Sequence, residues 1–538
     1  MKQFRLPKNH ILLILLLLGI FGGYVIFYST SWGPWVLSDS TAYINAARNL
    51  VAGNGFGHIT PSGRLEYVSG HPPLLHLTLA GAGSLGIDMV SAARWLNIFL
   101  YGLTIFGLGF SIYLLSHSLT LSVLICSCIF TTPVLLDVFS GVMTEPQFLF
   151  FGIVGLFLLL FYFENNNWVL ILSAAFAISL SVLARYPGFA FILAGVALIL
   201  FFHKMNWRRR IKDVIYFLSA SIIPTIIWLL WVYTRPHTSP PRQFSFQMSN
   251  LWNELAPLRL DMINVLWDWI PFSNYVEFSY RLKLFLFGLV AFCLVVLLVL
   301  TLRKIKSRGQ DWRSNKLLRI ASTFTFLFIA FFSIIVFFYA FLALKPGLID
   351  RTLLLFQVAG VILIFSIIDF IGNVWSIKKY TQLFSLVLGV IIISSALPNS
   401  IDIVKTYHLK GGGYTGERWR SSGTITAIEK LPPQTPIITN DPDAILFLLE
   451  RPAYEIEWTS FDKPVEMFSP FGDDENDAIQ RLFKKEGAAL VLFDGIYWQL
   501  YPFCAEETQQ CLEKLTQGLK LQASHWDGDI YFYNSSGP

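Results

Sequence analysis

Charge is what this chain lacks most: only 14% of its 538 residues are Asp, Glu, Lys or Arg, against about 25% in an ordinary soluble domain. Hydrophobic residues make up 54%, and the mean hydropathy is +0.56. A water-soluble core of this length cannot hide so much apolar surface, whereas a bilayer can. Cysteine is also sparse, at five residues. Cys126, Cys128 and Cys293 fall inside apolar runs with no His or Cys pattern around them, which argues for inert packing rather than a thiolate metal centre. Cys504 and Cys511 lie in a polar C-terminal stretch and can pair as a small disulfide if that stretch is extracytoplasmic. There is no internal repeat and no low-complexity segment. The pI near 8.8 does not point to nucleic acid, because the basic residues sit beside apolar runs, as membrane topology requires.

Long apolar runs are what the chain does have. A spanning helix needs about 20 such residues. About eleven segments qualify: residues 11–27, 90–115, 119–136, 147–163, 168–183, 188–202, 214–233, 284–302, 320–344, 352–371 and 383–397. Lys2, Arg5 and Lys8 before the first run resemble a signal peptide. No small-residue cleavage site follows, so that run is read as a retained transmembrane helix.

Short cytoplasmic loops collect Lys and Arg. One cluster is Lys204, Arg208, Arg209, Arg210 and Lys212. A second is Arg303, Lys304, Lys306, Arg308, Arg313, Lys316 and Arg319, and a third is Lys378 with Lys379. With eleven spans, these clusters and the N-terminus fall on one side. The loops at residues 29–89 and 234–283 and the tail after Pro398 then face outward. Residues 1–397 are expected to form a transmembrane domain in the cell (inner) membrane, with a cytoplasmic N-terminus, and residues 398–538 an extracytoplasmic one. In the tail, strands are expected at 435–440, 453–458 and 488–494. Helices are expected at 441–451 (Asp441 as N-cap, Pro442 first), 474–487 and 506–518, and a hairpin at 519–534 around Asp527-Gly528. Gly411 to Gly413 is the hinge leading in. The fold class is therefore an α-helical polytopic membrane protein of about eleven transmembrane helices with a small C-terminal α/β domain.

The first outer loop carries Ser38-Asp39-Ser40-Thr41-Ala42-Tyr43 at the start of a short amphipathic helix, in which Tyr43, Ala47 and Leu50 share a face. Asp39 is either an N-cap or a general base at the membrane surface. Glu145, in Thr144-Glu145-Pro146, lies at the outer end of the fourth span, and a carboxylate at that depth normally faces a cavity or a partner. Arg94, Arg185 (followed by Tyr186-Pro187) and Asp350-Arg351 fall in the same leaflet. Arginines there can simply snorkel and acids cap helices; their common depth favours a shared polar cavity. The 234–283 loop carries Trp252, Trp267, Trp269, Tyr275 and Tyr280, either an interfacial aromatic belt or a lid on sugar or lipid, with Asp268 and Glu277 as secondary candidates. Asp441-Pro442-Asp443 and Asp494-Gly495 read as caps and turns.

These pieces resemble the GT-C membrane glycosyltransferases, the group that includes protein O-mannosyltransferases and the aminoarabinose transferase acting on lipid A. The resemblance spans roughly residues 11–397. It rests on the layout and on Asp39 with Tyr43, Gly70-His71-Pro72-Pro73-Leu74, Ala93-Arg94-Trp95-Leu96-Asn97, Thr144-Glu145-Pro146 and Asp350-Arg351. Some relatives have two consecutive acids at the first motif where this chain has Asp39-Ser40, and some have Lys where it has His71. The resemblance implies a polyprenyl-phosphate-linked sugar as donor and a glycan, lipid or protein as acceptor, with membrane lipids around the spans. Asp39 would be the general base in an inverting transfer. Arg185, Arg351, then Arg94 would hold the donor phosphate, with His71 adding a hydrogen bond. Tyr43, Tyr186 and Asp350 would meet sugar or acceptor. Glu145 would orient the acceptor, or share a divalent cation, Mg or Mn, with Asp39. The competing readings are a polytopic transporter, against which no paired halves with broken helices are visible, and a non-catalytic envelope scaffold.

Overall fold

A computed structural model describes residues 8–61, 63–235, 251–271, 273, 278–309, 311–341, 350–456, 482–484, 486–504 and 507–533. Lys2, Arg5, Tyr275, Glu277 and most of the helix expected at 474–487 lie outside the described residues, as do the side chains of Trp252 and Cys293.

Numbered along the chain, the first helices are α1 (Lys8–Ser29), α2 (Ser38–Val51), α3 (Leu74–Ser84), α4 (Met89–Ser116), α5 (Leu119–Phe130), α6 (Pro133–Phe139) and α7 (Glu145–Asn165). There follow α8 (Trp168–Ala184), α9 (Phe189–Phe202), α10 (Trp207–Tyr233), α11 (Leu251–Asp268), α12 (Tyr280–Ser307), α13 (Lys316–Phe341), α14 (Asp350–Trp375) and α15 (Lys378–Lys410). Contacts divide the chain into two compact units, Met1–Ser31, Ser69–Thr78 and Val90–Leu409 forming the first, and Trp32–Val68, Leu79–Met89 and Lys410–Pro538 the second.

The first unit is a helical bundle. Over the described residues all eleven apolar runs are helical, apart from a break at Thr131-Thr132. Among the described residues, eight helices are long and apolar enough to cross a membrane, and the bent pair α5–α6 makes a ninth. The other two runs, α8 and α9, are helices below spanning length. The turn between α7 and α8 is made by Asn166, left-handed at φ 47°, and Asn167, whose side chain accepts from Val169 N and caps α8. Ser118 and Asn206 cap α5 and α10 in the same way.

The run at 119–136 is not one rod. It bends by 66° between α5 and α6, where Pro133 occupies the first turn of α6. A break at membrane depth frees carbonyls that lipid cannot satisfy. Here Tyr101 of α4 donates to Phe130 O (2.9 Å) and Ser400 of α15 donates to Thr131 O (2.8 Å). Helix α15 differs from expectation as well, continuing through Pro398 to Lys410.

In the second unit, strands β1 (Gly57–Ile59) and β2 (Leu65–Tyr67) form an antiparallel hairpin after α2. The C-terminal part adds α16 (Glu417–Arg420), α17 (Gly423–Glu429), β3 (Ile437–Thr439), α18 (Pro442–Leu449), β4 (Tyr454–Glu455) and β5 (Ala489–Phe493). It ends with α19 (Ile496–Cys504), α20 (Thr508–Leu515), β6 (Leu519–His525) and β7 (Gly528–Tyr533). The strands order as β4-β3-β5-β7-β6, the first three parallel and the last three antiparallel. Every residue of β5 is buried, as expected of a strand covered on both faces. Leu490 and Leu492 pack with Ile496, Leu500, Leu512 and Leu515 of α19 and α20. Ala489, Val491 and Phe493 pack with Ile425, Ile428 and Ile445 of α17 and α18. The result is the expected small α/β domain, with Asp441 capping α18 through Ala444 N.

Cys504 and Cys511 are disulfide-bonded, tying α19 to α20 across seven positions. Closing so short a loop is worth about 2 kcal/mol. Cys504→Ser is therefore expected to lower the melting temperature of the detergent-solubilised chain. Alkylation followed by mass spectrometry of the unreduced wild type should find neither thiol free.

Candidate active site

In the first unit, two distant segments converge on Glu145. The carboxylate opens α7, where Pro146 fits the first turn because its missing N–H is not needed there. A helix N-terminus also favours negative charge. Its side chain is only 3% exposed, and Oε1 is shared by two guanidinium groups, Arg185 through Nη1 and Arg351 through Nε at 3.3 Å. Thr144 Oγ1 donates to Oε2 (3.4 Å), and Arg351 Nη1 lies 3.7 Å from Met143 Sδ.

Each arginine is placed by local structure. Arg185 ends α8 in an extended conformation before the single turn Tyr186–Gly188. That turn folds back tightly: a Cβ on Gly188 would stand 2.7 Å from Val182 N, so only glycine fits. Arg351 is the second residue of α14, behind Asp350, whose Oδ1 accepts from Trp269 Nε1 (3.3 Å). Tyr186 OH accepts from Trp228 Nε1 (3.3 Å). These two tryptophans and Met143 were not singled out as site residues by sequence, although Trp269 belongs to the aromatic loop noted there.

Arg94 is engaged elsewhere in the unit. It donates to Thr30 Oγ1 (3.1 Å) and Phe27 O (3.1 Å) of the α1 end and lies over the Phe27 ring at 4.7 Å. His71 is partly exposed, just ahead of α3.

Asp39 and Tyr43 belong to the second unit. Leu37, rather than Asp39, is the N-cap of α2, and Asp39 sits in the first turn, partly exposed. Tyr43 is buried at 3% exposure, together with Ala47. Both ends of α2 have contacts with the C-terminal part. Ser38 Oγ donates to Asp443 Oδ2 (2.5 Å), and Arg48 pairs with Glu450 (3.2 Å). Burial raises the Asp443 carboxyl above its usual range; the Ser38 hydrogen bond opposes this and the charge of Asp39 adds to it. Burial likewise raises Asp441, against hydrogen bonds from Tyr414 and Ala444 N, with the Asp443 charge adding to the rise.

Chemically, two partly exposed guanidiniums against one buried carboxylate leave a positive excess. Planar guanidinium forks suit phosphate. A divalent cation at Glu145 would add charge to groups already cationic in sum, so these surroundings do not fit one. Among the described residues, no three His, Cys, Asp or Glu side chains are grouped to hold a metal ion.

No family model matches the chain, and no curated protein matches it significantly. Solved structures do. The oligosaccharyltransferase AglB of Archaeoglobus fulgidus, solved with an inhibitory peptide and a dolichol-phosphate, aligns with a TM-score of 0.51 at 13% identity over 99% of this chain and 75% of its own. The Archaeoglobus fulgidus oligosaccharyltransferase solved with Zn and sulfate gives 0.50 at 15% identity over 96% and 73%. ArnT of Cupriavidus metallidurans bound to undecaprenyl phosphate gives 0.43 at 14% identity over 98% and 99%. The archaeal likeness, which runs over nearly all of this chain, shows the fold: a polytopic helical membrane fold with a smaller C-terminal sheet domain.

Proposed function

We propose that this chain is a glycosyltransferase moving a sugar from a polyprenyl-phosphate carrier to an acceptor on the outer face of the cell's inner membrane. The N-terminus is cytoplasmic and the C-terminal domain outside, as the Lys and Arg clusters argue. The observation that carries the reading is the buried Glu145 carboxylate shared by Arg185 and Arg351. A GT-C fold gives it context, since a structural neighbour was solved with a dolichol-phosphate.

The acceptor hydroxyl or amine attacks the anomeric carbon opposite the phosphate, and Asp39 takes its proton. The bond from the anomeric carbon to the phosphate oxygen breaks, its electron pair leaves with the polyprenyl phosphate, and configuration inverts. Negative charge grows on the phosphate as this happens, and fixed guanidiniums stabilise it most at the transition state. Arg185 and Arg351 have that role. Arg94, tied to α1, is the third arginine for the phosphate, and His71 adds a hydrogen bond. Glu145 holds the two guanidiniums together and in orientation, and orients the acceptor. Tyr43, Tyr186 and Asp350 line the sugar or acceptor side.

The test uses purified full-length protein in proteoliposomes with a panel of radiolabelled undecaprenyl-phosphate hexoses and pentoses and envelope extract as acceptor. Label should move to the extract and free undecaprenyl phosphate should appear. Arg351→Lys, which keeps charge but loses the fork, should lower kcat/KM by about 10²-fold. Label or a solute accumulating across the bilayer without transfer would instead indicate a transporter.

A further inference from the structure

The C-terminal domain has no assigned task, and its contacts with the Asp39 helix suggest one. Within the second unit, the backbone entering α2 is held by residues 413–420. Tyr414 N donates to Val36 O (2.8 Å), Thr415 Oγ1 to Pro34 O (2.9 Å) and Arg420 Nη2 to Trp32 O (2.7 Å). Gly413 makes this approach possible: its φ is +53° and a Cβ there would meet Val36 O. Helix α18 then packs along α2. Ser38 donates to Asp443 at one end, and Arg48 pairs with Glu450 and lies over the Phe447 ring at the other.

We propose that Asp443 is a positioning residue for Asp39: it fixes the first turn of α2, which carries Asp39, through Ser38. The inference rests on the reading of Asp39 as that base. The acid that holds Ser38 lies 405 positions away from it in the chain. The groups around Asp443 are Ser38 and Asp39 of α2, Asp441 beside it, and Tyr414, which donates to Asp441 (2.7 Å); Arg418 bears on Asp441. Acids outnumber bases here. Burial, then the Asp39 charge, raises Asp443, partly offset by Ser38. A group held above its unfolded value favours the fold at low pH and loses that contribution as pH rises through its folded value. Asp443 therefore costs stability at neutral pH, as groups kept for activity often do.

Two measurements on the full-length protein decide the matter. In the first, Asp443→Asn raises the melting temperature at pH 7.5, and the gain shrinks by pH 4. In the second, the sugar donor turned over in the panel above is used to record kcat and KM. Asn still accepts from Ser38, so Asp443→Asn stays within about threefold of wild type, whereas Asp443→Ala, which cannot accept, lowers kcat about tenfold at unchanged KM. Ser38→Ala, which removes the donor, lowers kcat to the same extent. An unchanged kcat in Asp443→Ala overturns the proposal. If that variant does not fold, an unchanged kcat in Ser38→Ala overturns it equally. Failure of the parent reading is distinct: Asp39→Asn would then retain transfer, whatever Asp443 does.

Discussion

Glu145→Ala should destabilise the protein by about 3 kcal/mol and abolish detectable transfer. Removing one partner of a buried ion pair leaves uncompensated charge, a loss of about 3–5 kcal/mol. The lower end applies because the Arg185 and Arg351 side chains are 25% and 26% exposed and water screens them in part. Here the loss is compounded, since the deleted carboxylate serves two guanidiniums, which then repel each other. A thermal melt in detergent at low salt reads the stability effect, and millimolar inorganic phosphate should restore part of it by occupying the vacated anion position. Arg185→Ala leaves Glu145 paired with Arg351 and should cost less. A Glu145→Ala protein melting with the wild type would mean that the carboxylate is not shared as described.

Asp39→Asn is expected to cut kcat by about 10²–10⁴-fold, the usual contribution of a positioned general base, with KM nearly unchanged. The fold should tolerate it: Asp39 is partly exposed, is not the N-cap of α2, and contributes a like charge to Asp443. Radiolabelled donor turnover beside a melting curve separates lost chemistry from lost protein. Transfer within threefold of wild type would remove Asp39 from the mechanism.

The helical bundle was legible because hydropathy is additive along a run, and all eleven runs became helices. Their lengths were less so. Runs 168–183 and 188–202 read like spans, but α8 and α9 stop short of spanning length, where Arg185 and the Gly188 turn intervene. The break at Thr131-Thr132 was hidden inside an apolar stretch, with Pro133 its one local sign. The first-unit part of the site was half legible. Counting spans put Glu145, Arg185 and Arg351 at one depth, but which arginine reaches the carboxylate depends on side-chain geometry. Arg94, read at the same depth, reaches back to α1 instead. Asp443 illustrates the limit. Beside Asp441 and Pro442 it looked like part of a cap; Asp441 does cap α18, while Asp443 accepts from Ser38, a pairing with no local signature.

The bend between α5 and α6 has a mechanical consequence. Two of the carbonyls freed there are held by a tyrosine of α4 and a serine of α15. Sliding either helix along its axis would strand a carbonyl in hydrocarbon, at a cost of several kcal/mol. The kink thus acts as a rivet through three helices. A motion of this bundle that keeps both hydrogen bonds carries Tyr101 and Ser400 as one body with Phe130 and Thr131.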